Sequence, residues 1–278
     1  MTLISVKIPS SDTRITFRPG GIGQDPFLSR ILFDGNPTYE FGNPCGTCGV
    51  TFDKVTDVDF RLDDELAASL LGTLNRLPAD VDLLRLGRVL QSGKWDVGVF
   101  EGIPRLIEPG AEGDFFVEEV TPLHGSGQND QGRPRTSYYR FGMDTTIAKR
   151  FNFESAPVLR ASLIAPMQNP AAADEGRVQH WLTQHEAGHQ LTALAVGIVD
   201  FQGPAFWDAI DAGCAYREHQ VLTHYLLDGH HRVLAGARAG APVRILSFIG
   251  PPRGGGELDQ EARELLESLS MQSSLRPE

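Results

Sequence analysis

The sequence of residues 225–249 is YLLDGHHRVLAGARAGAPVRILSFI. An apolar run enters a short polar turn, a segment of small residues follows the turn, and a β-branched run returns after Pro242. A glycine in the turn, Gly229, can take backbone angles that other residues avoid, so a sharp turn is expected there. The pattern predicts a strand, a turn, a helix and a second strand, with the regular elements over residues 221–227, 233–239 and 243–249.

Four of the five residues in this turn carry polar, chemically active side chains: Asp228, His230, His231 and Arg232. The N-terminus of a helix supplies N–H groups and the positive end of the helix dipole, which suit a phosphate or another anion. Arginine adds a planar fork that matches phosphate oxygens, and histidine can move a proton near neutral pH. Gly229, His230, His231 and Arg232 are therefore predicted to bind phosphate, and Asp228, His230 and His231 are the candidate catalytic residues. In the alternative interpretation, Asp228 only caps the helix and the other side chains are solvated.

The turn and the elements around it resemble the ParB/sulfiredoxin-like superfamily, which includes sulfiredoxins, nucleotide-dependent partition proteins of the ParB type and free serine kinases. The resemblance covers about residues 156–250. In that family a strand, a helix ending at a glycine and a second strand precede the strand that enters the motif, an order matched here by residues 158–165, 171–185, Gly188 and residues 191–201. Two features depart from the family pattern, an insertion over residues 203–219 and the first 155 residues, which have no counterpart.

The resemblance implies a nucleotide that is held by its phosphates at residues 228–232, with a nucleoside triphosphate and Mg²⁺ as the expected cofactors. The resemblance does not identify the reaction. The favoured hypothesis is transfer of the terminal phosphate to a small molecule, or its hydrolysis, which would make the chain an enzyme. In this hypothesis Arg232 and the helix N–H groups hold the phosphates, while a histidine or Asp228 handles protons or Mg²⁺.

A second motif, HEAGH at residues 185–189, matches the signature of zinc hydrolases. That signature requires one helix, because a spacing of four residues then places His185 and His189 on the same face with Glu186 as general base. The run TALAVGIVDF that follows is rich in β-branched residues and favours a buried strand. In the preferred interpretation Gly188 is instead the left-handed cap of a helix that ends at His185. A zinc-dependent metallohydrolase is the alternative function.

Two of the three cysteines, Cys45 and Cys48, form a CxxC pair in a turn-rich segment. Such a pair presents two thiolates to a metal such as zinc, although a complete structural site needs two further ligands. A redox dithiol is disfavoured because β-type residues, and not a helix, follow the pair. A third functional hypothesis is therefore a non-catalytic binding module in which these cysteines hold a structural metal, and plain unligated cysteines remain open as well.

The whole sequence predicts an α+β protein in two parts, residues 1–155 and residues 156–278. The first part is expected to shape a substrate pocket, and its β segments cover residues 4–8, 14–17, 29–33, 49–52, 95–100, 114–120 and 137–141. Leucines spaced by three and four residues predict two helices between residues 62 and 90. The second part is the ParB/sulfiredoxin-like α/β domain, which ends in an amphipathic helix with an apolar face formed by Leu258, Ala262, Leu265, Leu266 and Leu269.

Lysine and arginine total 25 against 36 aspartate and glutamate residues, which gives a formal net charge of −11 at pH 7. This acidic balance argues against non-specific binding of nucleic acid, so a small-molecule substrate is expected. Three cysteines, and an N-terminus without a basic stretch before an apolar run, argue against secretion. No window approaches the roughly 18 apolar residues of a membrane span. The sequence therefore predicts a cytoplasmic protein that does not enter a membrane.

Overall fold

The protein has an α+β fold, in which two six-stranded β-sheets are combined with helices. The computed structural model describes residues 3–8, 14–19, 28–42, 51–54, 62–71, 89–104, 122–123, 137–138, 158–166, 173–202, 218–250 and 260–272. None of the helices within these ranges has the length and hydropathy needed to cross a membrane.

The first half of the chain contributes eight described strands and one helix. The strands are β1 (Ile4–Ile8), β2 (Ile15–Pro19), β3 (Leu28–Phe33), β4 (Asn36–Gly42), β5 (Thr51–Lys54), β6 (Gly93–Gly102), β7 (Pro122–Leu123) and β8 (Ser137–Tyr138), and the helix is α1 (Asp64–Leu71). The second half alternates strands and helices. Its strands are β9 (Val158–Pro166), β10 (Leu191–Gln202), β11 (Glu218–Asp228) and β12 (Val243–Ile249), and its helices are α2 (Glu175–Glu186), α3 (His230–Ala239) and α4 (Gln260–Gln272).

The strands form two six-stranded sheets, and the first of them draws on both halves of the chain. Its order is β1-β6-β12-β10-β11-β9, with β10 parallel to β12, β9 parallel to β11 and the other pairs antiparallel. The second sheet is antiparallel, in the order β2-β3-β4-β5-β8-β7. Because β6 pairs directly with β12, for example at Phe100 and Ile245, the expected division near residue 155 does not coincide with a division of the sheet.

The first sheet is buried on both faces, which explains the continuous apolar sequence of its central strand β10. On one face Leu194 and Val196 of β10 pack in a cluster with Trp95, residues of α1 and residues of the second sheet. On the opposite face Ala193 and Ala195 pack in a cluster with Val233 of α3. Farther along that face α4 packs through four apolar residues, Ala262, Leu265, Leu266 and Leu269. The sheet is therefore a rigid layer that holds α1 on one side and the other helices on the opposite side.

Most predicted elements of the second half are confirmed, with shifted ends. The strands β9 to β12 and the helix α2 lie where the sequence predicts them, and α3 begins at His230, three residues before the predicted start. In the first half, β4 was not predicted. The predicted helix that reaches residue 90 is wrong at its end, because Leu90 forms an isolated β-bridge with Ile15 and the carbonyl of Val89 accepts a hydrogen bond from the Ile15 amide. The predicted strand over residues 114–120 lies outside the described residues.

Candidate functional site

The turn after β11 is shaped by a glycine that no other residue replaces without strain. Gly229 has φ +96°, in the left-handed region, and it is the N-cap of α3. A Cβ atom at this position would lie 2.9 Å from both the Cα atom of Ala193 and the carbonyl oxygen of Thr192, so β10 passes directly against the turn. Because glycine brings no side-chain acceptor, the N–H groups in the first turn of α3 depend on groups outside the helix. The predicted strand, sharp turn and helix are confirmed.

A cavity of about 730 Å³ opens beside this turn. Residues 228–232 form one wall, and α2 adds Arg177, His180 and Trp181. The first helix, α1, and the two residues before it also line the cavity, with Asp63 and Asp64 among them. Arginine and histidine side chains thus share the cavity lining with three carboxylates, those of Asp63, Asp64 and Asp228.

Arg232 is fixed from two directions. Its Nη2 atom donates to the Oδ2 atom of Asp228, one helical turn away, and its Cζ atom lies 5.0 Å from the centroid of the Trp181 ring. Only 14% of the Arg232 side chain is exposed. The interpretation that Asp228 merely caps α3 is wrong, because Gly229 is the cap and Asp228 binds the guanidinium instead. Asp228 therefore orients Arg232, and this contact uses one of the five N–H donors of the guanidinium.

His231 links the first turn of α3 to the start of α2. Its Nε2 atom accepts a hydrogen bond of 3.2 Å from the backbone N–H of Asp174. Burial lowers the pKa of His231, Arg177 and Arg232 lower it further, and the nearby carboxylates of Asp174 and Asp228 act in the opposite sense. A ring that accepts at Nε2 carries its proton on Nδ1, so neutral His231 presents one N–H donor. His230, the other predicted imidazole, is half-buried and lines the same cavity.

Polar contacts help to hold helix α2 against α3. Asp174 caps α2 by accepting the Arg177 amide at 3.1 Å, and Arg238 of α3 donates to both carboxylate oxygens of Glu175 at 2.6 and 2.8 Å. This hydrogen bonding holds the pKa of Glu175 below its usual value. Val178 is the one residue of α2 that is fully buried. The position of α2 therefore depends on its contacts with the same helix that carries the turn.

Three site residues on α2 were not predicted: Arg177, His180 and Trp181. Their spacing of three and four residues places them on one face of a helix, which is a signal that the sequence contains. Comparisons with protein-family models, curated proteins and solved structures gave no match to this chain. The functional proposal therefore depends on the side chains around the cavity.

The HEAGH residues do not share a helix. Helix α2 ends at Glu186, Gly188 has φ +87°, and β10 begins at Leu191. The Gly188 amide donates to the His185 carbonyl and the His189 amide donates to the Gln184 carbonyl. This is the hydrogen-bond pattern of a right-handed helix that ends at a residue in the left-handed conformation. The predicted glycine cap is confirmed. The zinc interpretation, in which His185, Glu186 and His189 form the site, requires all three residues to lie on one helix. This requirement is not met.

The CxxC pair, Cys45 and Cys48, lies outside the described residues. Within the residues that the structure describes, no three histidine, cysteine, aspartate or glutamate side chains lie close enough together to hold a metal ion. The structural-metal hypothesis at the two cysteines stays a prediction.

Proposed function

We propose that this chain binds the phosphates of a nucleoside triphosphate at the N-terminus of α3, and that it transfers or hydrolyses the terminal phosphate. The observation that carries the proposal is the cavity beside Gly229, where the start of α3 and the Arg232 side chain meet. Gly229 lets the turn pack against β10, and it places no side-chain cap on the N–H groups at the start of α3, which suit a phosphate.

Electrostatics support an anion on this side of the cavity. The N-terminus of α3 carries the positive end of a helix dipole, and α3 has no acidic residue in its first turn. Arg177 adds a positive charge, and Arg232 adds N–H donors although Asp228 balances its charge, in a chain whose formal net charge is −11. The helix N-terminus and these donors are suited to an anionic ligand although the whole protein is acidic.

The size and the carboxylates of the cavity agree with a nucleotide that carries Mg²⁺. Small-ligand cavities span roughly 300–1,000 Å³, and this one measures about 730 Å³. Mg²⁺ on a phosphate chain needs only one or two protein carboxylates besides the phosphates and water. Asp63 and Asp64 line the same cavity as Arg232 and are suited to this role. The Oδ1 atom of Asp63 accepts the Leu66 amide at 3.0 Å, so its Oδ2 atom is the one for a metal.

The histidines supply the proton chemistry of the proposed reaction. Neutral His231 donates from Nδ1 to a phosphate oxygen, and His230 is the candidate base for the hydroxyl group or water that attacks the phosphorus. Asp228 acts through Arg232, which it orients. Membership of the ParB/sulfiredoxin-like superfamily is part of the same proposal, and the DGHHR residues are what supports it.

The proposal predicts that Arg232→Ala weakens nucleotide binding about 10- to 100-fold, because hydrogen bonds to charged groups contribute about 1.5–3 kcal/mol each. Isothermal titration with the Mg²⁺ complexes of ATP, GTP and CTP, and with inorganic triphosphate, measures this change. Arg14→Ala is the matched control, because Arg14 likewise pairs with an aspartate, Asp34, and lies outside the cavity lining.

Wild-type protein that binds none of these four ligands would remove the proposal, and equal affinities of the two arginine variants would remove the role of Arg232. The reaction itself is tested separately by release of inorganic phosphate from the best-bound triphosphate, alone and with small-molecule hydroxyl acceptors. Binding without any turnover would leave a nucleotide-binding protein and would contradict the enzymatic half of the proposal.

A further inference from the structure

We infer that Trp181 is a positioning residue, which acts through Arg232 to keep the guanidinium in its anion-binding orientation. This inference rests on the proposed function, and it concerns the residue of α2 that controls the orientation of Arg232. Trp181 is on α2 and Arg232 is on α3, so the contact between them couples the orientation of Arg232 to the docking of α2.

The Arg232 side chain is held between two partners of different chemistry. Asp228 fixes one edge of the guanidinium through Nη2, and the Trp181 ring lies against it with a distance of 5.0 Å from its centroid to Cζ. The face of an indole ring carries partial negative charge and attracts a guanidinium while leaving its N–H donors available for other acceptors. Trp181 therefore fixes Arg232 without competing with a phosphate for the N–H groups.

The Trp181 ring is itself well supported. It is partly buried and packs against the apolar cluster between the first sheet and α3, which includes Ala193 and Val233. The neighbouring His180 ring meets it edge to face, with centroids 5.3 Å apart. An arginine loses much conformational entropy when it binds a ligand, and a preformed orientation reduces that loss. Removal of the aromatic face is thus expected to weaken anion binding although the charge of Arg232 remains.

The test is a double-mutant cycle on Trp181 and Arg232, read out as the dissociation constant for inorganic triphosphate. This probe has no base, so stacking of a nucleobase on Trp181 does not contribute to its binding. Trp181→Leu is expected to weaken binding about threefold to tenfold, while Trp181→Phe, which keeps an aromatic face, stays within about twofold of wild type. In the Arg232→Ala background, Trp181→Leu is expected to cause no further loss.

The controls separate this role from folding and from direct ligand contact. Melting temperatures of all variants show whether α2 stays docked, and Trp181→Met replaces Trp181→Leu if the leucine variant does not fold. A further loss from Trp181→Leu in the Arg232→Ala background, or equal weakening by Phe and Leu, would overturn the inference. If wild type binds no triphosphate the proposed function fails, whereas wild-type binding that Trp181→Leu leaves unchanged refutes the role of Trp181 alone.

Discussion

Gly229→Ala is expected to lower the free energy of unfolding by about 3 kcal/mol. The left-handed backbone conformation at φ +96° costs about 1–2 kcal/mol for a residue with a Cβ atom. The new methyl group would also lie 2.9 Å from the backbone of β10, at Ala193 and Thr192, and such overpacking costs about 1–3 kcal/mol. Urea denaturation measures the change, with an unchanged m-value as evidence that the two-state transition is preserved.

Gly188→Ala is the matched control for this prediction. Gly188 has a similar positive φ of +87°, yet a Cβ atom there would meet no heavy atom within 4 Å. Its substitution is therefore expected to lower the free energy of unfolding by about 1 kcal/mol, through backbone strain alone. Equal losses in the two variants would show that contact with β10 does not constrain the turn. That result would contradict the close approach on which the shape of the cavity depends.

The strand, turn and helix at residues 218–239 could be predicted because their signals are local. An apolar run, a single glycine and a segment of small residues each constrain the backbone through their immediate neighbours. The same holds for the end of α2, where Gly188 terminates the helix before His189. Local rules therefore distinguished a strand over Leu191–Gln202 from the helix that the zinc motif requires.

The other walls of the cavity could not be predicted, since they depend on contacts between residues distant in sequence. The sequence near Asp63 does not indicate that α1 lines the same cavity as the turn at residue 229. Several strands of the first sheet lie between these two elements in sequence, and only the folded sheet brings them together. The pairing of β6 with β12 is equally non-local. For the same reason the sequence could not show that Trp181 of α2 supports Arg232 of α3.

Another feature that depends on residues distant in sequence is a histidine buried on the face of the first sheet that α3 and α4 cover. His224 on β11 is fully buried, its Nδ1 atom lies 2.9 Å from the Ser247 hydroxyl on β12, and its ring packs against Phe100 with centroids 4.8 Å apart. The ring reaches Ser247 across Gly197 of β10, which pairs with His224 and has no side chain in the way. The Nε2 atom has no hydrogen-bond partner among the described residues.

Acidification from pH 7 to pH 4 is expected to remove about 3 kcal/mol of stability through His224 alone. Burial lowers the pKa of His224 to about 3, whereas in the unfolded chain it titrates near 6.5. Between these two values the unfolded state binds a proton that the folded state does not, so stability falls by about 1.4 kcal/mol per pH unit as the pH decreases. Above pH 6.5 the contribution of the neutral ring is fully present.

His224→Phe should therefore reduce the loss of unfolding free energy per pH unit below pH 6.5, because phenylalanine keeps an aromatic ring beside Phe100 and does not bind a proton. Urea denaturation at pH 7, 6, 5 and 4 measures the slope, which separates this effect from any constant change at neutral pH. Ser247→Ala removes the partner of Nδ1 and keeps the imidazole, so it should retain the wild-type slope. Parallel curves for wild type and His224→Phe would mean that His224 binds its proton equally in the folded and unfolded states, and that the sheet and its helices admit a charge at this position.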